Sequence, residues 1–156
     1  QQEIMDRFTE QYGADYAAKT VAQPGYSEHH TGLALDLYFR IKNEDGSFTD
    51  VYYNEDMEKD EYRDIWAAIH VRLADYGFIL RYLEDEEHIT GYRYEPWHIR
   101  YVGREHALSM LENNLCLEEY VRGLEDGSIP NPAEAETEDV LLENVPTTET
   151  DDSADG

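Results

Sequence analysis

The chain has 156 residues, 36 of them acidic against 12 basic, and a formal charge of −24. That length suits one domain with a real core, and that charge argues against nucleic acid, whose phosphates a partner must meet with Lys and Arg. No run nears the ~18 apolar residues of a membrane span, no signal-peptide pattern is present, and the single Cys116 excludes an internal disulfide while leaving the redox compartment open.

Gln1 to Tyr12 carries Ile4, Met5, Phe8 and Tyr12 at helical spacing and stops at Gly13. A second short helix from Ala14 to about Lys19 precedes the Pro24-Gly25 break. The chain opens inside the first helix, so the expectation is a segment of a longer protein with its targeting signal upstream. Leu33 to Tyr38 reads as a strand, with Leu33, Leu35 and Leu37 on one face and Ala34, Asp36 and Tyr38 on the other. Asn43-Glu44-Asp45-Gly46 reads as a turn between two strands. Met57 to Tyr76 gives the strongest helical pattern, with Tyr62, Ile65, Trp66, Ile69 and Leu73 on one face and Gly77 at its end. Trp66 reads as core, and His70 beside that stripe as a packed histidine that binds no metal. Phe78 to Tyr82 is expected to be a strand and Leu83 to His88 an acidic loop. His98 to Val102 is a further strand. Two helices follow, through Ala107, Leu108, Leu111 and Leu115 and then Leu117, Tyr120, Val121 and Leu124, with Cys116 between them as a small buried hydrophobe. Gly127, Pro130 and Pro132 end the pattern, so residues 1–127 read as the folded domain and 128–156 as an acidic, disordered tail. Residues 133–156 hold nine acidic residues and no basic one, leaving −15 for residues 1–132.

Chemistry gathers in Ser27-Glu28-His29-His30-Thr31-Gly32-Leu33-Ala34-Leu35-Asp36 and in Glu95-Pro96-Trp97-His98. An aspartate inside an apolar strand is expensive unless a cation or several donors satisfy it. His29 precedes Asp36 across a glycine that permits a turn, and His98 adds a second imidazole. Two His, one Asp and a free Glu make a donor set suited to catalytic zinc: three ligands, an open position for water, and a base. A solvated edge aspartate and a surface histidine is the other reading that spacing leaves open. Proline after Glu95 keeps that residue out of a helix interior, which separates this pattern from the helical His-Glu-x-x-His zinc sites. His30, His88 and His106 read as exposed, and His30, one residue from His29, points away from it.

Ser27-x-His29-x-x-Gly32-x-Ala34-x-Asp36 followed by Glu95-x-Trp97-His98 resembles the zinc D-Ala-D-Ala carboxypeptidases of the VanY type and their LdcB-like L,D-carboxypeptidase relatives. VanX-like dipeptidases, phage endolysin peptidases and the hedgehog fold belong to the same wider group. Gly77-Phe78-Ile79-Leu80-Arg81-Tyr82, Ile89-Thr90-Gly91-Tyr92 and Pro96 to Gly103 extend the likeness, which runs from about Gln1 to about Gly103. The resemblance implies an α+β fold, with helices on one side of a small, mainly antiparallel sheet and the metal at the sheet's open face. It implies one zinc per chain on His29, Asp36 and His98, with Glu95 as catalytic base. Ser27, Tyr92 and a glutamine of the first helix, Gln2 or its neighbour Gln1, become substrate contacts.

The expected reaction is release of a terminal D-alanine from a peptidoglycan stem peptide by a monomeric enzyme of the cell envelope. The arginine that holds the substrate in this family would precede Gln1, and Arg81 and Arg100 read as structural or ion-paired. A peptidoglycan endopeptidase or a non-catalytic zinc module of the same fold are the alternatives within the group. The retained Glu95 disfavours the module, which has no need of a base. An acidic scaffold with a coincidental motif is disfavoured by the cost of Asp36 without a cation.

Overall fold

A computed structural model describes residues 1–52 and 54–132; the acidic segment 133–156, expected to be disordered, lies outside the described residues. The chain opens with helices α1 (Gln2–Tyr12) and α2 (Ala14–Thr20), and a 3₁₀ turn, Glu28–Thr31, leads into strand β1 (Ala34–Asp36). Strands β2 (Phe39–Lys42) and β3 (Phe48–Val51) form a separate hairpin, Phe39 opposite Val51, closed by the expected turn. Helices α3 (Asn54–Met57) and α4 (Arg63–His70) follow, then β4 (Phe78–Leu80), α5 (Glu87–Thr90), β5 (His98–Tyr101), α6 (Arg104–Asn113) and α7 (Leu117–Asp126). The fold is α+β, as the sequence implies. Among the described residues no helix is long and apolar enough to cross a membrane.

The sheet that carries the site has the order β1-β5-β4, antiparallel throughout. Its register sets Ala34 opposite Arg100 and Asp36 opposite His98. Directly opposed residues project to the same face, so β1 and β5 alone bring two of the three expected ligands together. Two apolar clusters support this sheet. One unites Ile79 of β4 and Ala74 just before that strand with Ala107, Met110 and Tyr120 of α6 and α7, and Leu117, Leu124 and Ile129 pack against it. Ile129 therefore carries the packed structure two residues past the boundary expected at Gly127, and its N–H donates to the Gly123 carbonyl at 3.0 Å. The other cluster joins Val51, Met57, Trp66 and Trp97 beneath the hairpin, with Phe39 and Ile69. Trp66 is core, as read from the sequence.

The single helix expected from Met57 to Tyr76 is broken. Beyond Met57, which ends α3, only Arg63–His70 is α-helical, flanked by 3₁₀ turns at Asp60–Tyr62 and Ala74–Tyr76. The Met57 carbonyl accepts the indole N–H of Trp66 at 2.8 Å, and Lys59 adopts an extended conformation. Beyond His70 the chain closes i→i−3 bonds, Leu73 to His70 and Tyr76 to Leu73, a tightening common at helix ends. Gly77 then turns the chain with φ at 79°, and the Phe78 N–H reaches back to the Leu73 carbonyl at 3.0 Å, which is the Schellman closure.

A side chain at Gly77 meets a second obstacle, because its Cβ would lie 2.8 Å from Tyr101 Cε2 and 3.1 Å from the Arg104 nitrogen. Gly77→Ala is expected to lower stability by about 2–4 kcal/mol from left-handed backbone strain plus overpacking. Urea denaturation checks this, and a change below about 0.5 kcal/mol would contradict it.

Candidate metal centre and active site

His29 is presented by the 3₁₀ turn that leads into β1. Gly32, with φ at 72°, closes that turn through an N–H bond to the His29 carbonyl at 3.1 Å and sends the chain into β1. Thr31 Oγ1 donates to the Glu28 carbonyl and accepts the Leu33 N–H, which ties the turn down. His29 Nε2 stands 3.5 Å from Asp36 Oδ1, and His98 Nδ1 stands 3.1 Å from the same oxygen. The rings of His29 and His98 meet edge to face with centroids 4.7 Å apart. One ligand atom from each of His29, Asp36 and His98 lies within 4.8 Å of the others. This is the triad the sequence singled out.

One premise of that reading is corrected. The Asp36 side chain is 53% exposed, and Leu33 and Leu35 are exposed too, while Ala34 is buried. Leu33 and Leu35 look toward solvent and Asp36 opens onto a cleft, whereas Leu37 packs against the Trp66 cluster. At the site it is Glu95 and His98 that are buried, at 4% and 6% exposure.

Glu95 sits where the Pro96 constraint expects it, in a turn closed by the His98 N–H on the Glu95 carbonyl at 3.1 Å. Pro96 and Trp97 are buried, and the Trp97 carbonyl accepts the Leu37 N–H at 2.9 Å, so Trp97 is a packing residue. His70 Nε2 donates to the Pro96 carbonyl at 2.8 Å, and burial lowers its pKa. It buttresses the turn from behind. Glu95 Oε2 lies 3.6 Å from His98 Nδ1. Burial pushes Glu95 up to about 8, with the His98 charge opposing and the Asp36 charge adding to the rise. A carboxyl raised this way is poised for proton transfer near neutral pH.

The residue that sequence reasoning missed is Glu28. Its Oε1 accepts His98 Nε2–H at 2.8 Å, and its Oε2 accepts Arg81 Nε–H at 3.1 Å and Arg100 Nη1–H at 2.8 Å. Burial works against its charge, but the His98 bond and the Arg81 charge outweigh burial and hold it at about 2. For His98 burial is likewise the opposing effect; hydrogen bonds to Asp36 and Glu28 raise it to about 9 in the metal-free protein. Glu28 therefore fixes the proton on Nε2 and turns Nδ1 toward Asp36 and His29. A carboxylate behind a histidine is the usual support of a metal-binding imidazole. The donor set and this support both fit zinc. The available signal was a charged residue next to His29 in a turn, with two arginines on neighbouring strands and no acid assigned to them. Arg81 and Arg100 are ion-paired, as expected.

A cleft of about 300 Å³ opens over the triad, lined by Ser27, Tyr92, Glu95 and Trp97 and on its far wall by α1. Tyr92 stacks on Tyr82 at 4.7 Å, and Tyr82, which the sequence did not single out, packs its buried ring 5.0 Å from His98. Gln2 is a correction. It faces away and donates to Asp6 at 2.8 Å, whereas Gln1 lines the cleft and donates to the Ala22 carbonyl at 2.8 Å. One helical step of about 100° decides which glutamine faces inward. Arg7, three residues beyond Ile4 on the same wall, also lines the cleft.

The family model described as VanY: D-alanyl-D-alanine carboxypeptidase matches residues 1–104. The chain belongs to this family. It is 38% identical over 122 residues to the bifunctional D-Ala-D-Ala dipeptidase and D-Ala-D-Ala carboxypeptidase VanXYC of Enterococcus gallinarum, a match covering 77% of this chain and 59% of that protein. Among solved structures it resembles the D,D-dipeptidase VanXYg in complex with a D-Ala-D-Ala phosphinate analogue, at TM-score 0.61, 37% identity and coverage of 78% of this chain and 45% of that one. A mutant of the D,D-pentapeptidase VanY in complex with Zn(II) matches at TM-score 0.60 and 35% identity, covering 77% and 64%. The L,D-carboxypeptidase LdcB matches at 0.55 and 33%, covering 78% and 52%. The chain thus spans about half to two-thirds of the length of these relatives.

Proposed function

We propose that this chain provides the catalytic site of a zinc-dependent carboxypeptidase that releases a terminal D-alanine from peptidoglycan stem peptides. The observation that carries this reading is the convergence of His29, Asp36 and His98 beside a buried Glu95 3.6 Å from His98. The relatives support it, since one was solved with Zn(II) and another with a D-Ala-D-Ala analogue. His29, Asp36 and His98 would hold the metal, which when bound supplies Lewis-acid activation of water and of the scissile carbonyl. Glu95 takes the proton from the attacking water on its carboxylate and delivers it to the departing amine. Ser27, Gln1 and Tyr92 line the path of the peptide. A peptidoglycan substrate supports a site of action at the cell envelope.

Incubation with stem pentapeptide and tetrapeptide, resolved by mass spectrometry, tests the reading. Loss of one alanine from the pentapeptide marks D,D-carboxypeptidase activity, and loss from the tetrapeptide marks L,D activity. Two intact peptides in the presence of zinc would overturn the proposal.

Zinc uptake is expected to release a proton. His98, raised to about 9, carries protons on both nitrogens at pH 7, and Nδ1 must lose its own to become a ligand. Apparent zinc affinity should therefore rise about tenfold per pH unit below about 9 and level off above it. Titration calorimetry in two buffers of different protonation enthalpy measures the released proton. Identical enthalpies in both buffers would contradict the assignment of His98.

A further inference from the structure

We propose that Glu118, at the start of α7, is a positioning residue for His98, acting through Arg81 and Glu28. This inference rests on the metal reading above and concerns a helix outside residues 1–104, the span of the family match.

The Arg81 guanidinium is 11% exposed and divides its donors between two acids. Its Nε faces Glu28 at 3.1 Å, while Nη1 and Nη2 bind both oxygens of Glu118 at 3.0 and 2.6 Å. A bidentate clamp fixes the plane of a guanidinium as well as its position. That plane sets where Nε points, and Nε points at the carboxylate that holds His98 Nε2 at 2.8 Å. A second route runs through packing. The Arg81 guanidinium lies 4.8 Å from the ring centroid of Tyr82, and that ring packs 5.0 Å from His98.

The platform beneath Glu118 is rigid. Tyr120 on the same helix is buried and hydrogen-bonded to His106 Nδ1 at 3.0 Å, and Leu117, next to Glu118, packs on the core. Without Glu118, the two terminal guanidinium nitrogens would lose their acceptors in a largely desolvated place, and Arg81 would turn to find others. Glu28 would follow it, because Arg81 and Arg100 share its Oε2.

Zinc affinity of metal-free protein, measured by competition with a chromophoric chelator, tests this. Glu118→Ala should raise the zinc dissociation constant about tenfold, the low end for a lost support of a ligand. Glu118→Gln, which keeps the shape and guards against a folding defect, should raise it several-fold. Leu124→Ala, on the same helix but against the apolar core, should lower the melting temperature and leave zinc affinity unchanged. In a Glu28→Gln background, Glu118→Ala should add less than a twofold further loss, because both act through one imidazole. Nitrogen NMR of the zinc-loaded protein should show the His98 Nε2 proton in the parent and its faster exchange in Glu118→Ala.

Zinc affinity within twofold of the parent in both Glu118 variants would overturn the inference. So would Leu124→Ala weakening zinc as much as Glu118→Ala does. A parent that binds no zinc would overturn the metal reading and this inference together, whereas zinc binding indifferent to Glu118 overturns this one alone.

Discussion

Glu95→Gln is expected to abolish measurable hydrolysis, a loss of about 10²–10⁴-fold, while zinc content stays at the parental value. The two readouts separate because Glu95 is not among the converging ligands; its carboxylate lies 3.6 Å from His98 Nδ1, beside the triad. The amide is nearly isosteric with the carboxyl, so the buried turn through Pro96 keeps its packing, and removing a buried acid raised to about 8 brings no stability penalty of its own. Asp36→Ala gives the contrasting result, because it takes away the oxygen that both imidazoles face at 3.1 and 3.5 Å. That variant should lose zinc and turnover together. Metal analysis alongside turnover on a stem pentapeptide checks both, and parental turnover by Glu95→Gln would refute the role of the base.

Glu28→Ala should be the most destabilising substitution at the site. Removing one member of a buried ion pair costs about 3–5 kcal/mol, because the partners stay buried without compensation. Here one carboxylate, 15% exposed, serves Arg81, Arg100 and His98 at once. Glu118 retains part of Arg81, so the expected loss for the metal-free protein is at the lower end of that range. Zinc affinity should fall a further 10–100-fold through the freed imidazole. Glu28→Gln keeps a neutral acceptor for His98 Nε2–H and should recover part of the affinity while losing the ion pairs. Urea denaturation and chelator competition give the two numbers separately. A Glu28→Ala protein of parental stability and zinc affinity would show that the network is incidental.

The same group sets an acid limit. Glu28 is held at about 2, below its value in an unfolded chain. Its contribution is therefore complete above the usual carboxylate range and is lost as pH falls toward about 2. Acid titration of the metal-free protein should show a steeper stability loss in the parent than in Glu28→Gln.

What the sequence by itself determined was whatever depends on neighbours along the chain. His29, Gly32 and Asp36 are close in sequence, so a turn and a short strand suffice to bring two ligands near each other. Pro96 dictates a non-helical Glu95 through its own ring. The capping glycine at Gly13, the apolar stripes of α1, α6 and α7, and the core placements of Trp66 and Cys116 likewise follow from local spacing. Only the tertiary structure decided which acid is buried. A three-residue strand alternates faces but carries no mark of which face meets solvent, so Asp36 read as buried and proved half-exposed. Glu28, a surface residue by type, is held by partners 53, 70 and 72 positions away. Gln1 rather than Gln2 lines the cleft for the same reason, since the rotation of a helix is set by what it packs against. The long helix expected after Met57 failed because the Met57 carbonyl went to Trp66 instead of to the next turn. Ligand identity is a matter of residue type and spacing, whereas burial, proton placement and support are set by contacts that only the closed fold makes.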